Sequence, residues 1–313
     1  MPELYPGIII AGPTASGKSR LGIALARNYK GEIVSCDALQ LYRHMHIGTA
    51  KVTDTERTAI PHHMLDILDP DEEFSAGAFQ SAARDAIESI RERKHVPFIV
   101  GGTGFYLSAL LEGLFEGPSR NETLRIRMRK IMKRRGTQTL HRALQRIDPQ
   151  SACRIAETDG ERIIRAYEMY LISGKPMSWW HRQPRNALRG YRWLKLGIEV
   201  PREELYRRID SRVDAMFQAG FVDEVRSLLR RFPRISPGFK AIGYRQIIDF
   251  LEGNHSLEQA IEETKKESRR YAKRQTTWFH RDPEIVWIAN QEDLRTLAAT
   301  AGSYIDRFLA GND

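Results

Sequence analysis

An α/β fold, in which a parallel sheet is flanked by helices and interrupted by a mainly helical inserted domain, is what this 313-residue sequence predicts, and three observations predict it. Apolar runs at residues 8–11, 32–35 and 97–100 alternate with helical patterns, the rhythm of βαβ units. A phosphate-loop signature, GPTASGKS, follows the first run directly and opens a helical pattern with Leu21, Ala24 and Leu25 on one face, so the core is read as P-loop NTPase-like. Beyond Pro118 the pattern turns helical and basic, with no strand until alternation returns at residues 191–200.

The first strand, Ile8-Ile9-Ile10-Ala11, delivers the chain into Gly12, Pro13, Thr14, Ala15, Ser16, Gly17, Lys18 and Ser19. The glycines allow successive N–H groups to point inward, and the helix that follows adds its partial positive charge. Lys18 is expected to reach the distal phosphate of the ligand, and the Ser19 hydroxyl to sit on Mg2+. A phosphate is bound here; the loop alone leaves its owner open.

After the second strand comes SCDALQLY, which places the Asp37 carboxylate at a strand end, where ligands of doubly wound sheets bind. Asp37 could serve as a general base, as a helix N-cap or as a carboxylate behind a magnesium ion. A helical pattern of Phe79, Ala82, Ala83, Ala86, Ile87 and Ile90 leads to the third strand, which runs into GGTGFYL. A nucleotide hydrolase would usually end that strand on an Asp for magnesium; here Gly101-Gly102 stand in its place, which weakens an ATPase reading. Thr103 offers a hydroxyl there.

The insertion is placed at residues 122–185, between core segments 1–121 and 186–313, and its last long helix stops at Gly174-Lys175-Pro176. Trp193, Leu194, Leu196, Ile198 and Val200 suit a buried strand, and Pro201 suits the first position of a helix. The last third is mainly helical, with one further strand at residues 284–289 and no internal repeat.

The net charge of +9 points to a polyanionic partner, and its distribution says more than its size. Between Arg120 and Arg146 ten Lys or Arg face a single acid, Glu122. A second cluster at residues 265–281 interleaves cations with Tyr271, Trp278 and Phe279, the mixture that binds RNA backbone and stacks bases. Either cluster alone also fits a solvated helix face; together with a phosphate-binding loop they favour nucleic acid. No run approaches a membrane span and no leader pattern opens the chain, so a cytoplasmic protein without a membrane partner is expected. Cys36 and Cys153 are read as ordinary thiols, and the pair His62-His63 as packing or capping rather than metal binding.

Seven blocks, GPTASGKS, SCDALQLYRHMHIGTAK, PHHMLDILDP, GGTGFYLSALLEG, DGERIIRAYEMYLISGKP, KAIGYRQ and KRQTTWFHR, closely resemble in order and spacing the bacterial tRNA dimethylallyltransferases, or tRNA isopentenyltransferases. The resemblance covers nearly the whole chain. It implies transfer of a dimethylallyl group from dimethylallyl diphosphate to the exocyclic amine of the adenosine 3′ of the anticodon, by a monomer that binds the anticodon stem-loop of tRNA. The loop would then hold an isoprenoid diphosphate with Mg2+. By matching SxDxxQxY, Asp37 would be the general base; Thr103 would bond near the transferring oxygen, and Arg212, with Arg208 as its rival, would hold the diphosphate. Asp37, Ala38, Leu39, Gln40 and Thr103 would meet the target base and its neighbours. Further tRNA contacts are implied at Arg125, Glu161, Arg162, Ile163, Ile164 and Arg165, at Lys240, Ile242, Gly243, Tyr244 and Arg245, and at Lys273, Arg274, Gln275 and Trp278. Departures from the family pattern are small: Phe105 replaces a frequent Leu, and His280 a frequent Arg. An isopentenyltransferase acting on free adenine nucleotides and a P-loop small-molecule kinase are the competing readings; the basic insertion argues against the first.

Overall fold

The computed structural model describes residues 4–311 and divides into two compact units, one built from the segments up to Leu111 and from Leu188 onward, the other from Glu112–Ala187. In chain order the first unit begins β1 (Tyr5–Ala11), α1 (Lys18–Asn28), β2 (Gly31–Cys36), α2 (Asp54–Ala59), β3 (His62–His63), α3 (Ala76–Glu92), β4 (Val96–Gly101) and α4 (Gly104–Leu111). The second unit holds α5 (Glu122–Arg135), α6 (Thr137–Ile147), α7 (Pro149–Arg154), α8 (Gly160–Ser173) and α9 (Met177–Trp180). The first unit then resumes with β5 (Tyr191–Glu199), α10 (Arg202–Gln218), α11 (Phe221–Leu229), a 3-10 turn (Pro237–Lys240), α12 (Tyr244–Leu251), α13 (Leu257–Phe279), β6 (Ile285–Ala289) and α14 (Leu294–Leu309).

The six strands form one parallel sheet in the order β3-β2-β4-β1-β5-β6. Its central strands are unbroken apolar runs because helices cover both faces. Along β1, Ile8 and Ile10 pack with Leu21 and Leu25 of α1 and Ala301 and Ile305 of α14. Ile9 and Ala11 point the other way, to Phe79, Ala83 and Ile87 of α3 and Leu110 of α4. Register then places the site: Ala11 and Cys36 both pair with Gly101 across β4, so three chain segments leave the sheet at one level. A third apolar cluster, including Tyr42, Met45, Phe221, Val225, Tyr244 and Ile247, supports the segment after β2.

β1, β2 and β4 extend past their sequence expectations, whereas β5 and β6 are each one residue shorter than expected. β1 starts at Tyr5, through Pro6 and Gly7, because Tyr5 pairs with Tyr191 of β5; the two breakers hid that from a local reading. β3 is two residues long, below what periodicity can detect. Its histidines are satisfied structurally, His62 through the Ile60 carbonyl and His63 through Glu32. Pro201 is the residue before α10 rather than its first.

In the helical unit, Met128, Leu140, Leu144, Ile163, Ile164 and Tyr167 form the core. Fully buried Glu168 accepts from Arg125, Arg165 and the Asn121 N–H. Burial would raise its carboxyl, but those bonds overcome that and hold it down at about 2. The unit starts before 122 and ends after 185 because entering and leaving chain pair: Phe115 bridges Arg185, and the Asn186 N–H donates to Leu114. Gly174, at φ 68°, ends α8 as the Gly-Lys-Pro stop indicates.

At the opposite end of β2 from the Cys36 terminus, Glu32 is buried and bonded by Arg93, His63 and His95. The Arg93 bonds, helped by the histidines and opposed by burial, lower its carboxyl from 4.5 to about 2. A depressed carboxylate contributes stability that is complete above the unfolded value and lost as pH falls through the folded one. Glu32→Gln should therefore cost about 2–3 kcal/mol at pH 7 and flatten the pH dependence of stability between 4.5 and 2, as read by urea unfolding across that range.

Candidate active site

The loop after β1 is shaped by two left-handed residues, Ala15 at φ 62° and Gly17 at φ 90°. Gly17 takes that conformation freely, whereas at Ala15 it costs about 1 kcal/mol or more, held by the surrounding structure. The Ser16 hydroxyl is buried with no hydrogen-bond partner, and Lys18, first residue of α1, donates back to the Pro13 carbonyl at 3.1 Å.

Asp37 follows β2, and its Oδ1 accepts from the N–H groups of Leu39 at 2.9 Å and Gln40 at 3.4 Å. The carboxylate thus caps a turn with one oxygen, not the start of a helix, and Asp37 also lines the cavities described below. Thr103, just past β4, accepts from the Ala38 N–H at 3.1 Å, and its hydroxyl lowers the phenol of Tyr271 on α13 against the rise that burial imposes. Gln40 holds Ser35 with its oxygen and the Ala50 carbonyl with its amide.

Helix α13 ties these loops together. The Gln275 side-chain oxygen accepts from the Thr14 N–H and its amide donates to the Gly102 carbonyl, both at 2.8 Å. Trp278 lies so close to Gly104 that a Cβ there would come within 2.1 Å of the indole, which explains the last glycine of GGTG. Arg212, on α10, donates to the Thr14 hydroxyl at 3.1 Å.

Two adjoining cavities, of about 480 and 270 Å³, open between these elements and share Thr14, Lys18, Asp37, Thr49 and Arg212. The larger is lined by the phosphate loop, including Ser19, by Arg20 and Arg208, and by Thr49, Ala50 and Lys51. The smaller is more apolar, with Leu39, Ile209, Val213, Met216, Phe221, Ile242 and Tyr271. Burial lowers the Lys18 ammonium to about 8, opposed by Asp37 and assisted by Arg212. Burial likewise lowers Arg212, and raises Tyr271 to about 12 with help from Asp37, so that phenol stays protonated. Cys36 is pushed up by burial and by Asp37; it is an inert thiol.

Among the diphosphate candidates, Arg212 reaches both cavities, while Arg208 lines the larger one and is paired with Glu204 and Asn290. The expected RNA contacts divide. Lys240, Arg245, Lys273, Arg274 and Trp278 are exposed, as are Arg162 and Glu161, and Ile242 faces the smaller cavity. Ile163 and Ile164 are instead fully buried in the helical core, and Tyr244 is fully buried with its hydroxyl on Glu224. Gly243 is buried at φ 91°, Gln275 is the loop strut, and Arg125 and Arg165 are committed to Glu168. These corrections have two causes: apolar and glycine positions inside a contact block supply its shape rather than its surface, and Gln275, Arg125 and Arg165 spend their polar groups on partners within the protein. Tyr271 was missed as a site residue, although it stands one helical turn before Gln275 on α13 and therefore on the same face.

The family model described as IPP transferase matches residues 40–282. The tRNA dimethylallyltransferase of Solibacter usitatus is 45% identical over 305 residues, covering 97% of this chain and 99% of that protein. The tRNA dimethylallyltransferase 1 of Pelobacter propionicus is 48% identical over 297 residues, covering 95% and 96%. Among solved structures, a tRNA isopentenylpyrophosphate transferase from Bacillus halodurans superposes with a TM-score of 0.72 at 38% identity, covering 99% of this chain and 97% of that one. A eukaryotic dimethylallyltransferase acting on tRNA gives a TM-score of 0.80 at 27% identity, covering 99% and 80%. Matched along almost its entire length by relatives 45% and 48% identical to it, this chain belongs to the IPP transferase family of tRNA dimethylallyltransferases.

Proposed function

We propose that this chain, acting as a monomer in the cytoplasm, transfers the dimethylallyl group of dimethylallyl diphosphate to the exocyclic amine of the adenosine 3′ of the tRNA anticodon. The observation that carries the reading is the pair of joined cavities, one polar and cationic and one largely apolar, with Asp37 on the wall they share. A diphosphate suits the first and a five-carbon chain beside a flipped base suits the second.

In this reading the allylic C–O bond breaks with its electron pair passing to the diphosphate. Loop N–H groups, Lys18 and Arg212 take up the growing charge. The amine lone pair forms the new C–N bond, and the proton it sheds goes to Asp37. Thr103, fixed by Ala38 and Tyr271, bonds close to the transferring oxygen. A divalent metal, Mg2+ by preference, would be held at the Ser19 hydroxyl, a hard oxygen donor on the larger cavity, together with substrate oxygens. When bound it supplies counter-charge to the leaving diphosphate. The exposed cations of α5 and α13 serve the RNA backbone.

Turnover on an anticodon stem-loop compared with free AMP tests the substrate: activity confined to the stem-loop is expected, and equal turnover of AMP would replace tRNA by a nucleotide. Asp37→Ala should lower kcat by about two to four orders of magnitude while stem-loop affinity stays within a few-fold; an unaltered kcat removes Asp37 from the proton transfer.

Because the Lys18 ammonium loses its proton near pH 8 in the free site and an anion favours the charged form, donor affinity should be flat below that pH and weaken above it. Lys18→Met should bind weakly with no such break, as read by calorimetric titration with dimethylallyl diphosphate. Arg127 and Lys130 are exposed on α5 and carry no ion pair among the described residues, whereas Arg129 is paired with Glu161 and Glu122. Neutralising Arg127 and Lys130 should reduce the slope of log affinity against log salt by about 1 to 2, measured by fluorescence anisotropy with the stem-loop.

A further inference from the structure

Two blocks of the sequence, HIGTAK and PHHMLDILDP, stand outside the chemistry derived so far, yet they meet in space. Lys51, from the first, is a lysine whose side chain is 1% exposed, and its ammonium donates to the Tyr42 carbonyl and to Oδ1 of Asp66, from the second. The other carboxylate oxygen of Asp66 is bonded by Arg57. Burial lowers the Lys51 ammonium, while the bonds from Lys51 and Arg57 bring the Asp66 carboxyl below its ordinary value against the opposing effect of burial.

What these two residues hold is the turn that follows Asp37. The Asp66 N–H donates to the Gln40 carbonyl at 3.3 Å, the Ile67 N–H donates to Leu41 at 2.8 Å, and Lys51 takes the next carbonyl but one, that of Tyr42. From the other side, Gln40 donates to Ala50, the residue before Lys51. Ala50, Met64 and Asp66 all sit at positive φ, 43°, 62° and 52°, a left-handed backbone that non-glycine residues adopt only where contacts impose it. Residues 49–51 also line the larger cavity. A buried charge pair is a weak source of stability compared with apolar packing of equal volume, so its presence beside a strained wall of the cavity calls for another role.

We propose that the pair of buried Lys51 and partly exposed Asp66 is a positioning device for the turn after β2, fixing the Gln40 and Tyr42 carbonyls and through them the direction in which Asp37 faces the cavity. Neither residue touches the reacting atoms. The inference rests on the transfer reaction proposed above, with Asp37 as proton acceptor. A shift of about 1 Å at such a group costs on the order of 100-fold in rate without abolishing binding.

The test uses the full chain with dimethylallyl diphosphate and an anticodon stem-loop. Product formation by the unaltered enzyme must come first; its absence would remove the reaction, whereas the variants bear on the pair alone. Lys51→Met and the isosteric Asp66→Asn should each lower kcat by about 10- to 100-fold, with KM for the donor and stem-loop affinity within about threefold, rates being referred to the folded fraction by circular dichroism. The double variant should be no slower than the slower single one. Should Lys51→Met fail to fold, Asp66→Asn carries the test. A folded variant with kcat within about threefold of the unaltered enzyme, a loss confined to melting temperature, or multiplying effects in the double variant would overturn the proposal.

Discussion

Lys18 and Arg212 bring two positive charges to the walls of a partly enclosed cavity in which Asp37 is the one carboxylate common to both of its parts. Burial works against both cations, as their lowered proton affinities show, and Asp37 offsets only part of that cost. The remaining positive field, with the start of α1, is complementary to a ligand of several negative charges. That imbalance suits the diphosphate proposed as the occupant, whose departure would add to the negative charge the site has to meet.

The machinery around this charge arrangement is neutral and tightly bonded. Gln275 spans the phosphate loop and the end of β4, Thr103 spans the ends of β4 and β2, and both meet α13, which carries exposed Lys273, Arg274 and Trp278 on its other side. One helix therefore fixes the reacting loops and presents cations and an aromatic to solvent. Neutral amides suit the inner task, because a further charge there would disturb the balance among Lys18, Arg212 and Asp37. The helical unit follows the opposite rule: its buried charge cluster around Glu168 joins α5 to α8, and its unpaired cations lie outward on α5.

What the sequence made legible follows from range. The phosphate loop, Asp37 and Thr103 were readable because strand, tight turn and helix start are local patterns, and the strand-end rule converts them into a site. Arg212 came from family resemblance and is placed by a contact to Thr14 that spans almost two hundred residues, which no local pattern contains. Ile163, Ile164 and Tyr244 were misplaced at the RNA surface although the signal against them was present: Ile163, Ile164, Ala166 and Tyr167 form an apolar helical stripe. Gln275 and Tyr271 were hidden for a different reason. A polar side chain on a basic helix reads as exposed, and only the approach of Gly102 and Thr103 turns these two inward.

The central claim is that the loop ligand leaves as diphosphate while its carbon is passed to a purine nitrogen. Phosphorus NMR of a reaction containing purified chain, magnesium, dimethylallyl diphosphate and an unmodified stem-loop, joined to mass analysis of the digested nucleosides, reads both halves at once. The account predicts one free diphosphate for each adenosine gaining a five-carbon unit on its exocyclic nitrogen. Released orthophosphate, a phosphorylated product or an adenosine of unchanged mass would contradict it.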